Sequence, residues 1–260
     1  MSYLAKILIY PIKSLDGVEV ETVKILPSGA LAGDRQFAII DEQGKFVNAK
    51  RNDKIHLLRS EFCLESQSVS LQIPGSSSKQ VFHLDADRQE LATALSDFFG
   101  FAVTLIENKI TGFPDDTNYP GATVISVASL TEVASWFPGV SVEEMRRRIR
   151  ANIEIDGVPA FWEDQLFADS EEPVSFVVGD VIFWGIQPCP RCVVPTRDAN
   201  TGAVYPNFQK IFVEKRQATM PAWTAKSRFS HVYSLSINTR LPASETGKIL
   251  QLGNKIEICK

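Results

Sequence analysis

The apolar residues of this chain come in short runs that Gly, Pro, Asp and Ser keep interrupting, and this spacing allows many short strands but few helices. Period-two alternation marks Tyr3 to Tyr10 and Val18 to Ile25 as strands. Phe37 to Ile40 and Lys45 to Asn48 flank the turn Asp41-Glu42-Gln43-Gly44 and predict a hairpin. Val69 to Ile73 and Val81 to Leu84 bracket the loop that starts at Pro74-Gly75. Later strands are predicted at Val103 to Glu107, Thr123 to Val127, Asn152 to Ile155, Ser175 to Val178, Val181 to Ile186, Val232 to Ile237 and Lys255 to Cys259. Helical spacing occurs at Gln89 to Phe99, Leu130 to Phe137 and Asn207 to Arg216. A further helix begins at the capping spacing Ser141-Val142-Glu143-Glu144 and runs to Arg150. Without regular strand-helix alternation, the expected class is mainly β with added helices (α+β), as two barrel-like units. The rhythm changes near residue 100, dividing the chain into 1–100 and 101–260.

Charge and length narrow the function. Lys and Arg total 27 against 31 Asp and Glu, so the net charge of -4 gives no global field to hold nucleic acid or an anionic membrane. Any anion site must be local. The opening run is broken by Lys6 and Pro11 and lacks the apolar core of a signal peptide. Val174 to Ile186 falls short of the ~20 residues that cross a bilayer. A cytoplasmic protein with reduced thiols is expected.

Two of the four cysteines form a tight pair, Cys189-Pro190-Arg191-Cys192. A structural zinc site needs further close ligands, and His56, His83 and His231 are isolated. A thioredoxin-like pair needs a helix after it, which Pro195 and the turn Asp198 to Gly202 oppose. Two buried cysteines filling a core position is the commonest outcome. The fourth reading is one thiolate ligand to a metal cofactor that brings its other ligands. Such an anionic cofactor needs cations and backbone N–H groups at element ends. Lys13-Ser14, Asp34-Arg35, Arg150-Ala151-Asn152 and Arg191 are such positions, whereas the run Arg146-Arg147-Arg148 reads as a solvated face.

In order along the chain, several segments resemble one family. Tyr10-Pro11-Ile12-Lys13-Ser14 and Gly33-Asp34-Arg35-Gln36-Phe37 are similar to the opening of the MOSC N-terminal β-barrel domain. Cys189-Pro190-Arg191-Cys192, with Pro195, Thr196, Asp198, Thr201 and Gly202, resembles the core of the MOSC domain. Arg150-Ala151-Asn152 and Phe161-Trp162-Glu163-Asp164 fall where that family has its Arg-x-Asn and Glu-Asp segments. Members similar to this chain reduce amidoximes or hydroxylaminopurines. The resemblance therefore implies a molybdenum-molybdopterin (pyranopterin) cofactor and reduction of small N-hydroxylated compounds. It places the metal-ligand role on Cys192 and cofactor contacts on Lys13, Ser14, Arg35, Asn118, Arg150, Asn152, Pro190 and Arg191.

Asp164 and Asp198 are candidate acids. Leu166 stands where relatives often have Trp, and Asp169 to Pro173 read as an acidic insertion. The two domains account for essentially all 260 residues, leaving none for an appended iron–sulfur domain. A separate electron donor of ferredoxin, flavoprotein or cytochrome type is thus expected. A rival reading is a carrier, either of sulfur as a cysteine persulfide or of the molybdenum cofactor itself. Pyridoxal phosphate has been associated with MOSC domains by distant analogy, but no Schiff-base signature accompanies Lys13.

Overall fold

The computed structural model describes residues 1–76 and 78–259. The strands are β1 (Tyr3–Ile9), β2 (Val18–Val20), β3 (Thr22–Lys24), β4 (Phe37–Asp41), β5 (Arg59–Cys63), β6 (Ser68–Gln72), β7 (Gln80–His83) and β8 (Val103–Glu107). There follow β9 (Val124–Ser126), β10 (Ile153–Asp156), β11 (Val174–Val178), β12 (Val181–Pro190), β13 (Ser234–Arg240), β14 (Ile249–Gln251) and β15 (Ile256–Ile258). The α-helices are α1 (Arg88–Phe99), α2 (Val127–Ser135), α3 (Val142–Ile149) and α4 (Phe208–Thr219). The mixed, mainly β class expected from the residue spacing is what the chain adopts.

One eight-stranded sheet, in the order β15-β11-β12-β13-β9-β10-β1-β2, forms the body of the molecule. Its ladder does not close into the expected barrel. The two sides do meet at an isolated bridge between Tyr3 and Lys255, where Leu4 N donates to the Asn254 carbonyl and Gly253 N to that of Leu4. The Val18 to Ile25 run is two strands: β2 pairs β1, whereas β3 leaves the sheet to pair β14. A second group comprises the pair β4-β8, the sheet β5-β6-β7 and α1, closed around Ile12, Ile39, Leu71, Leu91, Leu95 and Leu105. A cut at residue 100 would separate β8 from its partner β4. The segment Lys45 to Asn48 makes only a bridge from Phe46 to Ile40 instead of a full strand.

Capping explains two helix starts. The Ser141 hydroxyl accepts from Glu144 N at 3.0 Å, and the Ser126 hydroxyl accepts from Ser129 N, also at 3.0 Å. The second cap starts α2 three residues before the apolar spacing suggests. Leu130 of α2, Met145 of α3 and Phe208 and Phe212 of α4 share one core with Phe137 and Tyr233, the Phe137 and Phe208 rings stacked 4.1 Å apart.

Beneath this aromatic layer lies a buried polar knot. The Ser129 hydroxyl donates to Glu163 Oε2 at 2.9 Å and accepts from Phe161 N. Asp164 pairs with Arg216 and accepts from Thr224 Oγ1 at 2.7 Å. Arg216 in turn lies 4.0 Å from the centroid of the Phe161 ring. Glu163 Oε1 has no partner among the described residues. Burial, followed by the charge of Asp164, raises the Glu163 pKa to about 7.

A carboxyl that holds its proton more tightly when folded loses stability as pH rises from its unfolded value toward its folded one. The stability difference between Glu163→Gln and the natural chain should therefore be small at pH 4.5. It should grow to about 3 kcal/mol in favour of the variant by pH 8. Urea denaturation across that range checks this; a pH-independent difference would contradict it.

Candidate functional site

Left-handed backbone in non-glycine residues is uncommon and costs about 1–3 kcal/mol where the fold imposes it. Seven such residues occur among those described, and three of them are Ser14 (φ 74°), Arg35 (φ 48°) and Arg150 (φ 58°). Each sits where its chain segment must turn sharply. Arg150 ends α3, donating its N–H to the Arg146 carbonyl at 2.8 Å. Arg35 N donates to the Tyr10 carbonyl and Phe37 N to that of Pro11, so residues 10–13 lie alongside 35–37. The same geometry lets Lys13 N donate to the Phe37 carbonyl and brings Ser14 Oγ within 3.3 Å of Ala49 N.

Tyr10 sits at the centre. Its side chain is buried, with the Arg150 guanidinium 4.1 Å and the Arg35 guanidinium 5.1 Å from the ring centroid. Burial pushes the phenol pKa up to about 12 against the opposing pull of both arginines. Asp34 pairs with Arg35 and accepts from Tyr10 N at 2.9 Å. Arg150 also donates to the Leu15 carbonyl at 2.7 Å. Burial lowers the pKa of Lys13, whose side chain is only 8% exposed.

Strand β12 delivers the cysteines to the same place. It continues past the predicted Ile186 to Pro190, and its register against β13 shifts twice, between Gly185 and Gln187 and between Pro188 and Pro190. Such irregularities bend a strand end and re-aim its side chains. Arg191 N donates to the Tyr233 carbonyl at 3.0 Å, while its guanidinium reaches the Ile149 carbonyl and Cys189 Sγ, the latter at 3.3 Å. Arg191 thereby fixes the cysteine turn to the end of α3. Cys192 is free and half-buried, on the link between β12 and the short 3-10 turn Val194–Thr196.

These residues line one cavity of about 740 Å³. Lys13, Ser14 and Arg35 reach it from the first part of the chain, and Arg150, Asn152, Pro190, Arg191 and Cys192 from the second. Asn118 does not line it; the Asn118 carbonyl accepts from Arg240 Nε at 2.9 Å. Asn152 is committed to the framework as well, since Nδ2 donates to the Leu8 carbonyl at 3.0 Å and Oδ1 accepts from Thr123 N and Oγ1. It therefore pins β1 and the start of β9 beside β10 at the cavity floor.

The run Arg146-Arg147-Arg148 is not a solvated face. Arg146 pairs with the buried Glu154, and Arg148, itself buried, pairs with Glu144 at 2.8 Å. Arg147 reaches Asp16 at 3.3 Å and Asn200 Oδ1 at 2.7 Å. Asp16 also accepts from Arg59 at 3.0 Å, so this carboxylate clamps the two halves of the cavity together. The sequence gives no local sign of this clamp because its members are scattered over nearly two hundred residues. Asp164 lies in the buried knot and Asp198 in a turn held by Thr201 Oγ1; neither lines the cavity.

Ten basic and six acidic residues line the cavity, a positive excess in a chain of net charge -4. An anionic ligand fits that surplus. Among the described residues no three His, Cys, Asp or Glu side chains gather as a metal site. A metal at Cys192 would thus need ligands that accompany it.

Comparison with known proteins agrees with this arrangement. The MOSC N-terminal beta barrel domain matches residues 1–108, and the MOSC domain matches residues 118–256. Mitochondrial amidoxime reducing component 2 of Rattus norvegicus is 24% identical over 77% of this chain and 68% of its own. The Homo sapiens protein of that name is 23% identical over the same shares. Molybdenum cofactor sulfurase of Danio rerio is 30% identical over 40% of this chain and 12% of its own length. With its cysteine pair at the end of β12 and its cationic cavity matched from both sides, the chain belongs to the MOSC family.

Proposed function

We propose that this chain binds a molybdenum-pyranopterin cofactor and reduces small N-hydroxylated compounds. The carrying observation is that Cys192, without a hydrogen-bond partner among the described residues, shares a cavity with Lys13, Arg35 and Arg150, two of which stand on left-handed backbone. The residue set fits such a group. A thiolate is a soft, strongly donating ligand for a metal that changes oxidation state. The three cations suit a phosphate, and preorganised guanidiniums lose little freedom on binding it. Arg191 Nε is buried without a partner among the described residues, and Pro190 and Arg191 line the cavity beside the cysteine.

In this reading Lys13, Ser14, Arg35 and Arg150 hold the phosphate and Cys192 ligates the metal. Asn152 and Tyr10 keep the floor and the two arginines in place. The bound cofactor supplies the two-electron chemistry that converts an N-hydroxy group, two electrons and two protons into N–H and water. Neither Asp164 nor Asp198 borders the cavity, so protons reach the substrate from solvent or from a group that lines it. The electrons come from a separate redox protein. Persulfide carriage is the second reading, favoured by the second cysteine beside Cys192, namely Cys189, whose Sγ accepts from the Arg191 guanidinium at 3.3 Å.

Protein made in a host that synthesises the molybdenum cofactor should carry about one molybdenum per chain. Cys192→Ser should lose it and Cys189→Ser should keep it. Metal analysis with intact-mass measurement checks this, and stoichiometric persulfide without molybdenum would overturn it. Arg35→Ala should cut molybdenum occupancy at least twofold while the thermal midpoint moves by only a few degrees. Full occupancy in that variant would remove Arg35 from the binding set.

A further inference from the structure

The buried ammonium of Lys13 has two hydrogen-bond acceptors among the described residues, and both belong to one segment. Its Nζ donates to the Phe113 carbonyl at 2.8 Å and to Asp115 Oδ1 at 2.8 Å. Lys50 Nζ approaches the same carboxylate at 3.7 Å. Residues 112–121, which contain no strand or helix, form a strap along the cavity, and Pro114, Asp115, Asp116 and Tyr119 line it.

Apart from its contacts with Lys13, the strap is held at its two ends and through the Asn118 carbonyl, which accepts from Arg240 Nε at 2.9 Å. A Cβ on Gly112 would lie 2.6 Å from the Asp34 carbonyl oxygen, and one on Gly121 would lie 2.5 Å from that of Thr239. Only glycine allows both approaches. Near the second end, the Arg240 guanidinium stacks 4.8 Å from the Tyr119 ring centroid. Between the anchors, Asp116 makes only local contacts, accepting from Asn118 N and Tyr119 N. The Asp115 side chain remains 59% exposed although it touches a lysine that is 8% exposed. Lys13 is thus buried in the cavity wall, whereas its carboxylate partner is exposed on a segment without strand or helix.

We propose that Asp115 is an internal anion that occupies the Lys13 position in the unliganded protein, and that the strap carries it off Lys13 when a ligand phosphate arrives. A carboxylate and a phosphate offer that ammonium the same kind of charged oxygen, and two anions side by side repel each other, so they compete for it. The strap therefore sets the affinity for phosphate and opens when the site fills. This inference rests on the cationic cluster being a phosphate site.

Cofactor-free protein titrated calorimetrically with inorganic phosphate at low ionic strength tests the proposal. Asp115→Asn should bind phosphate about five-fold more tightly than the natural chain, as expected for removing a partly exposed ion pair. Asp116→Asn removes the same charge one residue away and should bind like the natural chain. In the unaltered protein, saturating phosphate should speed hydrogen exchange at the amides of residues 113 and 115–119. Equal affinities for Asp115→Asn and the natural chain would overturn displacement while leaving the phosphate site intact. Binding by neither would remove the phosphate site itself and the proposal with it. Unchanged or slower exchange in the strap would also overturn it.

Discussion

The Tyr10 ring between the guanidiniums of Arg35 and Arg150 is the contact on which the cavity depends. It joins the segment after β1, the turn before β4 and the end of α3, which are far apart in the chain. Two arginines this close repel each other, and each also carries a left-handed backbone. Asp34 offsets part of that repulsion through Arg35, and the Leu15 carbonyl satisfies Arg150. Among the described residues, Lys13 finds its carboxylate partner in Asp115, which Lys50 also approaches and whose side chain is 59% exposed. Strain and like charge held together by a folded framework are the marks of a site prepared for an anion.

The framework itself is shared between the two halves of the chain. Strand β1 belongs to the same sheet as β10 and β12, yet it leads directly into the Lys13 and Ser14 turn. Asn152 ties β1 to β10 from one side and the Asp16 clamp ties α3 to β5 from another. The cysteine turn is positioned by the same helix end, through Arg191 and the Ile149 carbonyl. Cys192 and the cations are therefore set by one rigid junction at the end of α3.

Much of this was legible along the chain where the signal is local. Ser141 announces α3, alternation announces β1, and Cys192 and the expected cofactor contacts all line one cavity apart from Asn118. What alternation cannot show is which partner a strand takes, so Val18 to Ile25 read as one strand although its halves pair with β1 and β14. A charge run likewise reveals nothing about distant partners. Arg146, Arg147 and Arg148 read as solvent-facing because Glu154, Asp16, Asn200 and Glu144 approach only in the fold. Closure of the sheet is equally illegible: strand count and length do not encode whether the last ladder forms, and here a single bridge takes its place.

The proposed ligation of molybdenum by Cys192, which lines the cavity, is open to a direct chemical test. Alkylation with iodoacetamide, followed by peptide mass spectrometry, compares that residue in molybdenum-loaded protein and in the same protein after the cofactor is stripped. Cys192 should be protected in proportion to molybdenum content and become reactive on stripping, while the exposed Cys63 and Cys259 react equally in both. Equal alkylation of Cys192 in loaded and stripped protein would contradict it.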